Sequence, residues 1–268
     1  MIQSQYVKVG GLSVQYDTAG DCGSPVLLFV HGWASSSRMW REAMEALAGD
    51  FQCLAPDLPG FGESERPPAG WYTLPNYLRF LHGFCDSVGI RQAHMVGHSM
   101  GGTIALGLAA DAPQRVDRLV AVNPVVTGRV WLNMGRFAGS PLRRAMLTAA
   151  RALWPVAINP VISWSLQGDL ATSPGMRRRR EDLAKSAPDA VLSGIRAVVT
   201  SDISVRLAAI SAPTLVMIGE HDTTVPPSEG RLAADLIGGA ALKYFAAGHL
   251  PSDEQPDEFA EALREFLL

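Results

Sequence analysis

The 268-residue chain is poor in cysteine and has no long apolar run. Cys22, Cys53 and Cys85 are odd in number and scattered, which excludes a disulfide framework and any cysteine-based metal spacing. No bound metal or organic cofactor is expected. No apolar stretch approaches the roughly 20 residues that cross a bilayer, so no membrane partner is expected either. The opening MIQSQYVKVGGLSVQYDTAG is polar and alternating, without the basic start and apolar centre of a secretory leader. Together these absences point to a soluble cytoplasmic protein. Charge of one sign is not in excess: 23 basic against 26 acidic residues leave a formal net charge of −3, which gives no global sign of nucleic-acid binding. Internal repeats and low-complexity linkers are missing too.

The apolar residues come in short runs separated by helical patterns. Tyr6 to Val9 and Leu12 to Tyr16, joined by Gly10-Gly11, predict a hairpin. Buried strands are expected at Val26–Val30, 52–55, 93–96, 119–122, 214–218 and 242–245. Helices are expected at about 37–48, 76–88, 100–111, 227–237 and 256–267. Continuous apolar strands alternating with helices imply an α/β fold, its parallel sheet covered on both faces. From about 127 to 206 the rhythm breaks, and no clear strand is visible. This stretch reads as a helical insertion and holds Trp131, Trp154 and Trp164, half of the six tryptophans. It carries twelve basic against five acidic residues, a net +7, and the remaining chain is left at −10.

The stretch MVGHSMGG, residues 95–102, places Ser99 in Gly-x-Ser-x-Gly between a strand and a helix. That is the context of a nucleophile elbow, in which flanking glycines permit a tight turn and close backbone approach. A serine is a weak nucleophile until a base takes its proton, and the base needs a partner to orient it. Two later strands run into Gly219-Glu-His-Asp222 and Gly248-His249, on the sheet edge that carries Ser99. The order Ser99, Asp222, His249 suits this architecture. Glu220 and Asp253 are rival acids, and His31, His82, His94, His98 and His221 are the other histidines. His98 adjoins the serine, but on a sharp turn it points elsewhere.

His31-Gly32-Trp33, Asp57-Leu-Pro-Gly60-Phe-Gly62-Glu-Ser64, the elbow, Gly219-x-x-Asp222 and Gly248-His249 occur in order. On these motifs the chain resembles the α/β-hydrolase superfamily. The resemblance implies a mostly parallel eight-stranded sheet with helices on both faces, a core of residues 1–126 and 207–268, and a helical cap of 127–206. It also implies an oxyanion hole built from the backbone N–H groups of Trp33 and Met100, and an ester or thioester of an apolar acyl group cleaved through an acyl-enzyme. Within the superfamily the chain looks similar to pimeloyl-acyl-carrier-protein methyl ester esterases. Trp131, Trp154 and Trp164 would then line an apolar pocket under the cap. Arg177, Arg178, Arg179 and Arg180 would dock an acidic partner, such as an acyl carrier protein or the phosphates of coenzyme A. The motif Gly-x-Ser-Met-Gly-Gly also occurs in carbon–carbon hydrolases of aromatic ring cleavage, and some receptors keep this scaffold as ligand-binding proteins.

Overall fold

The computed structural model describes residues 1–130 and 174–268. Trp131, Trp154 and Trp164 lie outside the described residues. Eight strands form one sheet: β1 (Gln3–Val9), β2 (Leu12–Ala19), β3 (Val26–Val30), β4 (Gln52–Pro56), β5 (Ala93–His98), β6 (Val116–Val122), β7 (Thr214–Gly219) and β8 (Ala241–Phe245). Their order is β1-β2-β4-β3-β5-β6-β7-β8. The β1–β2 and β2–β4 pairs are antiparallel, and the other pairs are parallel.

The central strands read as continuous apolar runs because both of their faces are covered. In β3, Leu28 and Val30 face one core while Leu27 and Phe29 face the other; Leu119 and Ala121 alternate with Val120 and Val122 in β6. This is the period of 2 of a strand applied to two cores. Helices α2 (Leu74–Ser87) and α3 (Met100–Asp111) cover the first face with Tyr77, Leu81 and Ile104. The second face is covered by α1 (Arg41–Leu47) and the C-terminal helix Pro256–Leu267, through Met44, Leu47, Phe259 and Leu263. Each such side chain contributes about 1.5–3 kcal/mol by leaving water.

Further along the chain come α4 (Pro174–Lys185), α5 (Pro188–Val199), α6 (Pro227–Leu236) and the single turn α7 (Pro251–Glu254), so that the C-terminal helix is α8. Helices α4 and α5 join the first core through Leu183, Ala190, Val191 and Val198. Glu229 on α6 accepts hydrogen bonds from the N–H groups of Val126 and Thr127, both at 2.7 Å. The Ile203 N–H donates to the Val126 carbonyl at 2.9 Å, so these two points of the chain lie side by side.

The helix expected over 37–48 is instead a 3-10 turn at Ser37–Trp40 followed by α1. The Ser37 N–H donates to Asp57 Oδ1 at 2.7 Å, and the Arg38 N–H donates to Ser36 Oγ at 3.3 Å. Two side-chain acceptors thus fix the first turn in a tighter form than the apolar spacing alone predicts.

The strand order explains where function gathers. From β3 the chain turns to β4 on one side, then crosses back to β5 on the other. A crevice opens at such a switch point, beyond the carboxyl ends of β3 and β5. Only glycine fits the elbow there. A Cβ on Gly101 would lie 2.5 Å from the His31 carbonyl oxygen and closer still to that of Val30, and one on Gly97 would lie 2.9 Å from Ala105 Cβ. A Gly101→Ala substitution is therefore expected to cost about 3 kcal/mol in urea unfolding. Gly70→Ala, at a site with open space around it, should be near neutral. Equal stability of the two variants would contradict the close approach.

Candidate active site

Ser99 stands between β5 and α3 with φ 53° and ψ −116°, a conformation a side-chain-bearing residue adopts at a cost of about 1–3 kcal/mol. The surrounding backbone fixes it there: its N–H donates to the Val122 carbonyl at 2.9 Å, and its carbonyl accepts from Thr103 N–H at 3.0 Å. The side chain is thereby placed at the N-terminus of α3, where unpaired N–H groups favour negative charge.

Asp222 follows β7 and His249 follows β8. Asp222 Oδ1 accepts from the N–H groups of Thr224 at 2.7 Å and Val225 at 2.9 Å. This fixes the carboxylate, and its Oδ2 lies 2.7 Å from His249 Nδ1. A carboxylate only accepts, so His249 carries its proton on Nδ1 and leaves Nε2 as the basic nitrogen. Ser99, His249, Trp33, Met100 and Leu250 line one pocket. No hydrogen bond among the described residues occupies the backbone N–H of Trp33 or Met100. The Trp33 indole donates to the Val191 carbonyl at 2.7 Å, which anchors α5 over the pocket.

The rival residues are placed elsewhere. Glu220 and His221 are exposed, and Asp253 is paired with Arg178. His82 lies in α2, and His94 faces Asp117 at 3.3 Å. The arginine run divides: Arg177 and Arg180 are exposed, Arg178 holds Asp253 at 2.6 Å, and Arg179 lines the pocket beside His249. Among the described residues no group of three or more His, Cys, Asp or Glu is arranged to hold a metal ion. Among them, too, no helix is long and apolar enough to cross a membrane.

A profile of the alpha/beta hydrolase fold matches residues 25–256. The chain belongs to the alpha/beta hydrolase fold family. It is 33% identical over 269 residues to the dihydrolipoyllysine-residue acetyltransferase component of the acetoin cleaving system of Cupriavidus necator, covering 98% of this chain and 68% of that protein. A hydrolase from Pseudomonas aeruginosa is similar in structure, with TM-score 0.87 at 30% identity over 99% of this chain and 98% of that one. A thermophilic esterase from Thermogutta terrifontis has TM-score 0.83 at 26% identity, covering 99% and 98%.

Around the pocket of this alpha/beta hydrolase lies a set of tethers that sequence reasoning missed. Asn123, at φ 43°, accepts from Gly219 N–H at 2.9 Å and donates to the His249 carbonyl at 3.1 Å. Glu254 accepts from Gly248 N–H at 2.8 Å and from Leu250 N–H at 3.2 Å. His98 places Nε2 2.7 Å from the His249 carbonyl, so Nε2 carries the proton. Its Nδ1 is buried without a partner, against Gly32. The sequence around these residues is ordinary, and the one available signal was a polar residue at or directly after the end of a buried strand, as with His98 and Asn123.

Two histidines work only as neutral rings. His31 accepts from Leu58 N–H at 2.8 Å on Nε2 and donates from Nδ1 to the Gly32 carbonyl at 2.8 Å, and burial lowers its pKa to about 4. Burial and the neighbouring His249 hold His98 well below the usual histidine value. The unfolded chain binds these protons near the ordinary value of 6.5. It therefore takes up more protons than the folded chain between pH 6.5 and 4, and stability falls as pH falls across that window. For His31 the loss amounts to about 3 kcal/mol. In urea unfolding from pH 7 to 4.5, His31→Gln should be less stable at pH 7 and show a shallower acid slope than wild type. An unchanged slope would contradict the neutral-ring role.

Proposed function

We propose that this chain is a serine hydrolase that cleaves an ester or thioester of an apolar acyl substrate through an acyl-enzyme. The observation that carries the reading is the His249–Asp222 pair, 2.7 Å apart, opening into the same pocket as Ser99 in its strained turn. In this mechanism His249 Nε2 takes the Ser99 hydroxyl proton as Oγ attacks the acyl carbonyl. The tetrahedral oxyanion accepts from the N–H groups of Trp33 and Met100, each contributing about 3–4 kcal/mol to the transition state. His249 then gives its proton to the leaving alkoxide or thiolate as the carbonyl re-forms. A water deprotonated by His249 attacks the acyl-enzyme, and Ser99 leaves with the proton returned to it. Asp222 holds the imidazole in the required tautomer and stabilises its charged form.

Residues 127–206 would act as a cap over this pocket. Support comes from the adjacent exit and return of the chain at Val126 and Ile203, and from Val130, Arg179, Ile195 and Val198 lining the pocket. The similarity to an esterase and to a further hydrolase supports ester chemistry.

Hydrolysis of 4-nitrophenyl esters from acetate to decanoate tests the reading. Wild type should show an optimum in chain length, and Ser99→Ala should lower kcat by about 10⁴-fold or more. Activity surviving in a folded Ser99→Ala protein would contradict it.

A further inference from the structure

Successive residues of a helix point about 100° apart, so four consecutive arginines on α4 cannot share one task. Two are exposed, and Arg178 grips both oxygens of Asp253, at 2.6 and 2.8 Å. Arg179 turns inward and joins Ser99 and His249 in lining the pocket. Among the described residues no carboxylate forms an ion pair with it. The acids whose fields reach it are already engaged: Asp253 by Arg178, Asp182 by Ser36 and Arg38, and Asp222 by His249 and two backbone N–H groups.

A guanidinium keeps its charge in a protein interior, and a buried cation without a partner is costly. Arg179 is half-buried, and its partial loss of water holds it below the ordinary arginine value. Its neighbours in the pocket are largely apolar: Val125, Val130, Ile195, Val198 and Leu250. Among the described residues, then, Arg179 has the free valence of an anion-binding group.

Resting on the serine-hydrolase reading, we propose that Arg179 binds a carboxylate carried by the substrate, which makes that substrate an ester or thioester with an apolar spacer and an anionic end. One planar fork matches one carboxylate through paired N–H···O bonds. A phosphate dianion calls for further charged donors; beside Arg179 and His249 the described lining offers the hydroxyls of Ser35 and Thr224, and His98, held well below the usual histidine value, spends its N–H on the His249 carbonyl. The proposal narrows the substrate from any apolar acyl group to an acid-bearing one. It also explains why one arginine of the run is withheld from the surface.

The test compares mono-4-nitrophenyl adipate with 4-nitrophenyl hexanoate, which match in chain length and differ in the terminal carboxylate. Wild type should favour the adipate in kcat/KM, with free adipate a competitive inhibitor and inorganic phosphate inert. In Arg179→Gln the adipate-to-hexanoate ratio of kcat/KM should fall at least about tenfold, and Arg179→Lys should recover part of it. An unchanged ratio, or a wild-type preference for hexanoate, overturns the carboxylate site while Ser99-dependent turnover leaves the hydrolase reading intact. Inhibition by phosphate as strong as by adipate overturns it in favour of a phosphate-bearing ligand. If Ser99→Ala leaves turnover of both esters unchanged, the hydrolase reading fails. Calorimetric binding of adipate to wild type and not to Arg179→Gln, at equal Tm, then still decides the site.

Discussion

The β5–α3 turn passes so close to the end of β3 that no side chain fits between them, and the rest of the site follows from that contact. Gly101 meets the carbonyls of Val30 and His31, and Gly97 meets Gly101 and Ala105. With both flanks pressed against neighbouring backbone, the turn closes with Ser99 at positive φ. The strain is held by bonds to Val122 and Thr103 rather than by the serine side chain, which is left free for chemistry. The same contact sets the Met100 N–H at the start of a helix, with Trp33 lining the same pocket, so the proposed nucleophile and its two proposed donors arise from one packing decision.

A precise loop geometry on the opposite side of the pocket is obtained differently. His249 lies on an irregular segment after β8, where no ladder fixes the backbone. Asn123, His98 and Glu254 take over that role by saturating its N–H and carbonyl groups. Buried polar groups satisfied in this way rigidify a site, and a missing partner costs about 1–3 kcal/mol. His31 and His98 serve as neutral hydrogen-bonding rings, so His249, the proposed base, has neighbours that resist protonation. Among the described residues the other ionisable groups at the pocket are His249, with Asp222 behind it, and Arg179.

Much of the fold was legible because it rests on local signals. Apolar runs of four or five residues mark the central strands β3, β6 and β7, and the glycines of the elbow announce a backbone approach that only glycine permits. Strand ends extended beyond expectation, as in Val116–Val122, because Val116 pairs with Ala93 ahead of a register shift at Asp117 and Arg118, whose polar side chains hide the strand's start in the sequence. The start of α1 was misread because Asp57, distant in sequence, captures the Ser37 N–H. The tethers of His249 were missed for the same reason: each is a long-range bond made by a residue with an ordinary local context. The arginine run was visible as charge, but a charge count assigns all four residues one role, and the rotation of α4 separates them into a surface pair, an ion pair and a pocket residue.

The direct measurement of whether this packing aims Ser99 as a nucleophile is covalent labelling with a fluorophosphonate, which phosphonylates an activated serine and no resting hydroxyl. Peptide mass spectrometry should find one adduct, on Ser99, formed about 100-fold or more slowly in His249→Gln. An adduct on another residue, or labelling of Ser99 at an equal rate in His249→Gln, would contradict the assignment of nucleophile and base.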